Sequence, residues 1–117
     1  MARKNYDRIK RVNSLIKQAL SDIIKNEVKD PKIGMLSISK VDTTKDLKYA
    51  KIYISVLGDN EQRAHTIEVL NKLSRFFMHK LNEEIRIRTI PELTFILDDS
   101  MDYYFHIDEL LKKAKEK

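Results

Sequence analysis

Leu47-Lys48-Tyr49-Ala50-Lys51-Ile52-Tyr53-Ile54-Ser55-Val56-Leu57 is the stretch on which the fold turns. Ala50, Ile52, Ile54 and Val56 alternate with Tyr49, Lys51, Tyr53 and Ser55, and a period of two puts each set on its own face of a β-strand. A strand with one apolar face must lay that face against a second layer. Upstream, Met35 to Asp42 reads as another strand, and the polar run Val41-Asp42-Thr43-Thr44-Lys45-Asp46 between them suits an antiparallel hairpin loop. Downstream, Gly58-Asp59-Asn60 breaks the alternation, with Asp59 or Asn60 placed to cap a helix.

The flanking segments change period. From Asn5 to Val28 the apolar residues Ile9, Val12, Leu15, Ile16, Ala19, Leu20, Ile23 and Ile24 recur in steps of three and four, which predicts an amphipathic helix stopped at Asp30-Pro31. A second helix is expected to run to about Asn82 on a stripe of Ile67, Leu70, Phe77 and Leu81, supported by Ala64, Leu73 and Phe76. Ser74 interrupts that stripe. A serine there either bonds its own backbone or leaves room for close packing, so a kink is expected at Leu73-Ser74-Arg75. Ile85 to Leu97 reads as a third extended segment in which Ile85, Ile87, Leu93, Phe95 and Leu97 face the core. Pro91 within it implies an edge, a bulge or a bend. After Asp98-Asp99-Ser100 comes a short helix with Ile107, Leu110, Leu111 and Ala114 on one face. The order α-β-β-α-β-α predicts a two-layer α+β domain, with helices on one face of a three-stranded sheet.

Composition narrows the chemistry. The chain has 117 residues, of which 42% are hydrophobic and 35% charged, enough for one modest core and one domain. No apolar run nears the ~20 residues that cross a bilayer, so an intracellular, membrane-free protein is expected. With no cysteine and only two glycines, disulfides, thiolate metal sites and glycine-rich phosphate loops are excluded.

The net charge of +5 is unevenly spread: residues 1–29 hold eight Lys/Arg against three Asp/Glu, whereas residues 85–117 hold six against seven. A local excess of this kind attracts polyanions, nucleic acid first and an anionic membrane surface second. Arg3, Lys4, Arg8, Lys10 and Arg11, with Lys17, form the main candidate patch, displayed toward the start of a helix whose dipole disfavours cations. Arg75 and Lys80, with Arg86 and Arg88, are secondary candidates; the last two share one strand face in this reading, either to meet phosphate or as a surface salt-bridged to neighbouring acids. Tyr6, Tyr49, Tyr53, Tyr103 and Tyr104 are either half-buried packing or platforms for unpaired bases.

Catalysis has poor raw material. His65, His79 and His106 with Glu68, Glu83, Glu84 and Asp108 are the available acid–base groups. His65 and His79 stand fourteen residues apart on one expected helix, about 21 Å at the helical rise, too far to share a substrate atom. No metal-ligand spacing with a third partner occurs, so neither an enzyme nor a metal site is expected.

Several segments together resemble the ribosome-binding factor A family of bacterial small-subunit assembly factors. They are Arg8-Ile9-Lys10-Arg11-Val12 with Ile16 and Leu20, Glu27-Val28-Lys29-Asp30-Pro31-Lys32-Ile33-Gly34, Val41 with Asp46 to Val56, Ile87-Arg88-Thr89-Ile90-Pro91-Glu92-Leu93-Thr94-Phe95, and Asp98-Asp99-Ser100. The Lys-Asp-Pro-x-x-Gly and Arg-x-x-Pro-Glu-Leu-x-Phe elements, in that order, are the specific ones. The resemblance implies one type II KH-like domain over residues 1–117, with an ordered core at about 3–112 and a short charged tail at 113–117. It also implies that a helix-kink-helix marked by Ala-x-Gly replaces the Gly-x-x-Gly nucleotide clamp. Here Leu73-Ser74-Arg75 occupies those positions, so only the middle residue is small and Arg75 is expected to offer a phosphate contact instead.

By the same resemblance the chain is a non-catalytic, cofactor-free cytoplasmic monomer that binds the immature 30S subunit and its 16S rRNA. It would assist late maturation and 5' end processing, serve growth in the cold, and be released with the help of a maturation GTPase. The alternative is a ribosome-associated or stress module that binds mature ribosomes.

Overall fold

The chain opens with α1 (Ala2–Glu27), whose Val12, Ile16, Ala19, Leu20, Ile23 and Ile24 are buried. These positions follow the three-and-four spacing, and Leu15, at the edge of the stripe, stays 38% exposed. The structure, a computed structural model, describes residues 2–100, with side chains from residue 7 onward. The expected helix bearing Ile107, Leu110, Leu111 and Ala114, the side chains of Arg3, Lys4 and Tyr6, and Tyr103, Tyr104, His106 and Asp108 lie outside the described residues.

After α1 the chain reverses through Asp30, whose Oδ1 accepts from the Lys32 backbone N–H at 2.8 Å while its carbonyl accepts from Ile33 at 3.1 Å. Gly34 then passes so close to β-sheet backbone that a Cβ would lie 2.3 Å from the Leu57 carbonyl oxygen. That approach is the physical reason for glycine in the Lys-Asp-Pro-x-x-Gly element.

β1 (Leu36–Thr43) and β2 (Tyr49–Val56) form the expected antiparallel hairpin. Ala50, Ile52 and Ile54 are buried, and Tyr49 is 54% exposed on the other face. In β1 the register shifts between Ile38 and Lys40. This bulge changes the parity, so Ile38 and then Val41 and Thr43 all reach the core side. The hydroxyl of bulged Ser39 donates to Asp98 Oδ2 at 2.5 Å, at the far edge of the sheet.

α2 (Asn60–Lys72) is capped by Asp59, whose Oδ1 accepts from the Gln62 N–H at 2.7 Å. Where one long helix is expected, two are found: α2 stops at Leu73 (φ −94°, ψ 10°) and α3 (Ser74–Glu84) resumes immediately. The expected kink is thus a one-residue break, and its cause is tertiary. The Ser74 hydroxyl donates to the Leu93 carbonyl at 2.7 Å, not to its own helix. Leu70, Phe77 and Leu81 are buried as the stripe required, but Thr66 is buried and Ile67 only half-buried.

The third extended segment is shorter than its composition suggests. Only Glu92–Leu97 forms β3, and Ile85 to Pro91 is an irregular connection, so Arg86 and Arg88 do not share a strand face. Pro91 is fully buried at the bend into β3, where the Glu92 N–H bonds the Lys48 carbonyl at 2.8 Å. Ile85, Ile87 and Leu97 are half-buried, whereas Leu93 and Phe95 are core. β3 pairs parallel to β2, giving a mixed sheet of order β1-β2-β3. The Phe77 and Phe95 rings meet edge-on with centroids 5.5 Å apart, joining helix layer to sheet.

Candidate functional site: an arginine-rimmed cleft

The strongest site is assembled from three distant parts of the chain. Arg8, Arg11, Val12 and Leu15 occupy positions i, i+3, i+4 and i+7 of α1 and so form one stripe. They share a cleft of about 340 Å³ with Leu47 from the β1–β2 turn and with Arg86, Ile87, Arg88 and Thr89 from the α3–β3 connection. The bond from Glu92 to Lys48 holds turn and connection together at that end of the sheet.

Four arginines therefore line one concavity, and none of them is in an ion pair among the described residues. The salt-bridged alternative for Arg86 and Arg88 is not what the described residues show. Arg8 and Arg11 also lie beyond the first turn of a helix that starts at Ala2, where the dipole has faded. The expected dipole penalty does not apply to them. Grouped guanidinium groups raise a positive potential, and their flat forks match two phosphate oxygens at once.

The other basic candidates are placed elsewhere. Lys10 and Lys17, seven residues apart, share an exposed stripe of α1 outside the cleft. Lys80 is half-buried between α3 and the end of α1, 3.8 Å from Glu27 Oε1 and 5.7 Å from the Phe76 ring centroid.

Arg75 is exposed in a second groove beside β3, with Asn71, Lys72, Ser74, Met78, Glu92 and Leu93. The edge of β3 there is already engaged: Asn71 donates to the Phe95 carbonyl at 3.0 Å and accepts from the Phe95 N–H at 2.8 Å. Lys72 pairs with Glu68 at 3.1 Å and Glu92 adds negative charge, so this groove is far less positive than the arginine cleft.

The histidines are separate. His65 Nε2 lies 3.2 Å from Asp30 Oδ2, and His79 Nε2 lies 3.0 Å from Glu83 Oε1 one turn along its own helix. The Lys32 N–H, then the His65 side chain, hold the Asp30 carboxyl below the usual range. Among the described residues no group of three or more His, Asp or Glu could hold a metal ion, and no helix is long and apolar enough to cross a membrane.

Leu15, Leu47, Ile87 and Thr89 are cleft residues that sequence reasoning did not single out. The available signal was faint: an apolar residue at the margin of the α1 stripe, and a leucine closing an otherwise polar turn.

Comparison with known proteins fits this architecture. Residues 8–111 match the family model described as Ribosome-binding factor A. The protein of that name from Halothermothrix orenii is 41% identical over 109 residues, covering 93% of this chain and 89% of its own. The crystal structure of ribosome-binding factor A from Thermus thermophilus superposes with a TM-score of 0.67 at 22% identity, covering 76% of this chain and 93% of that one. A Thermus thermophilus ribosome-binding factor A homology model fitted into a cryo-EM map of its complex with the 30S subunit gives 0.64 at 23% identity, covering 74% of this chain and 91% of that one.

Proposed function

Because this chain belongs to the ribosome-binding factor A family, we propose that it binds the immature 30S ribosomal subunit, gripping 16S rRNA phosphates in the cleft of Arg8, Arg11, Arg86 and Arg88. The single observation that carries this reading is that four arginines, unpaired among the described residues, line one cleft from two elements far apart in sequence. Such a cluster binds phosphate strongly, and its placement on a rigid helix and a pinned connection fixes the orientation of the bound RNA. The role is that of a non-catalytic, monomeric, single KH-like domain working in the cytoplasm. It holds a late folding intermediate of 16S rRNA while maturation and 5' end processing proceed, including in the cold, and then leaves with the help of a maturation GTPase. The separate pairing of His65 with Asp30 and His79 with Glu83 supports a binder over a nuclease, which needs two acid–base groups at one phosphate.

The test compares the parent chain with an Arg86→Ala/Arg88→Ala variant on purified precursor-containing and mature 30S subunits, at low and raised salt. Expected is tight, salt-sensitive binding to precursor subunits that falls at least tenfold in the variant, whose thermal stability stays within about 0.5 kcal/mol because both residues are exposed. Equal binding to mature subunits would favour the ribosome-associated alternative, and unchanged affinity in the variant would place the contact elsewhere.

A further inference from the structure

Building on the proposed function, we infer that the arginine cleft takes one unpaired nucleotide of RNA, its base laid on Leu15 and Leu47 and its flanking phosphates held by the surrounding arginines. A site that met only a row of phosphates would need charge and no apolar floor. This one pairs four guanidinium groups with Leu15, which is 38% exposed beside them, and with the half-buried Leu47 and Ile87.

Leu47 carries the argument furthest. The turn from Thr44 to Leu47 is closed by the Leu47 N–H on the Thr44 carbonyl at 2.9 Å, and Leu47 leaves it with φ of 61°. A turn of this kind calls for a left-handed residue, and glycine or asparagine adopts that conformation with least strain. The turn explains the backbone, and one side of the leucine packs against the hydrophobic core. Its other side lines the cleft beside the arginines, where a glycine would leave the floor open, and strain retained at a concave charged site is a mark of function.

An unpaired nucleotide matches both halves of the site: a flat face for the apolar floor and for guanidinium stacking, and charged oxygens on either side. A duplex keeps its bases stacked inside and would leave Leu15 and Leu47 uncovered. The cleft is also apart from the groove beside β3, where Asn71 and Ser74 already engage the strand edge.

The experiment uses the full chain and three probes: a short single-stranded oligoribonucleotide with a central 2-aminopurine, the same strand abasic at that position, and a duplex with equal phosphate count. The intact strand should bind about tenfold more tightly than the abasic one, with a change in 2-aminopurine fluorescence. Leu15→Ser, at a side chain 38% exposed, should erase that difference without lowering the melting temperature, and Leu47→Gly should erase it too, at some cost in melting temperature because Leu47 also packs against the core. Arg86→Ala/Arg88→Ala should weaken all three probes. Equal binding of intact and abasic strands would overturn the inference, and so would Leu15→Ser and Leu47→Gly variants that keep the preference. Failure of the proposed function reads out separately, as 30S binding that is absent or indifferent to the arginine substitutions.

Discussion

Single residues in this protein are fixed by close approach and by charge. Gly34 has room for no side chain, because a Cβ would sit 2.3 Å from the Leu57 carbonyl, next to the 2.8 Å bond from the Leu57 N–H to the Met35 carbonyl. Gly34→Ala must move backbone at the junction of β1 and β2 and should destabilise by about 1–3 kcal/mol, read from urea unfolding. Asp98 is held by hydrogen bonds. The Ser39 hydroxyl and then Ser100 keep its carboxyl below the usual aspartate range, as Thr44 and the Lys48 N–H do for Asp46. The folded carboxylate binds its proton less readily than the unfolded one. Its contribution is therefore complete above the ordinary value of about 3.9 and is lost as pH falls through the lower folded value. Asp98→Asn should accordingly show a shallower loss of stability than the parent in unfolding series between about pH 2 and 5.

At the scale of elements, the break between α2 and α3 is what lets two polar side chains reach β3. Asn71, near the end of α2, satisfies both the N–H and the carbonyl of Phe95, and Ser74, the first residue of α3, takes the Leu93 carbonyl. β3 lies at the edge of the sheet, so these bonds occupy groups that an exposed edge would offer to another strand. Asn71→Ala strands a backbone pair at a residue only 2% exposed. It should cost about 1–3 kcal/mol and speed hydrogen exchange at the Phe95 amide, a local signature that general destabilisation lacks. The kink was legible from a small polar residue in an apolar stripe, but its partner was not, because Leu93 lies nineteen residues away.

For the whole molecule, the decisive event is the meeting of the basic helix with the α3–β3 connection. If each of the four cleft arginines neutralises one phosphate, binding to rRNA should weaken with salt at a log–log slope of about −3, and Arg86→Ala/Arg88→Ala should reduce its magnitude by about 1.5. Titrating affinity against potassium concentration for both proteins checks this. The sequence by itself determined α1 and the β1–β2 hairpin, because the three-four spacing of α1 and the alternation of Ala50, Ile52 and Ile54 are local signals of which face avoids water. It also determined the family and the excess of positive charge in the first half of the chain. Only the tertiary structure decided where that charge acts. Arg8 and Arg11 are more than seventy residues from Arg86 and Arg88 in the chain, and no periodicity links them. It also placed Lys80 beside Glu27, ended the extended reading of Ile85 to Pro91, and put Leu47 in a left-handed turn at the arginine cleft. Each of these depends on which surfaces the parallel pairing of β2 with β3 brings together, and pairing between distant segments is set by the packing of the whole core.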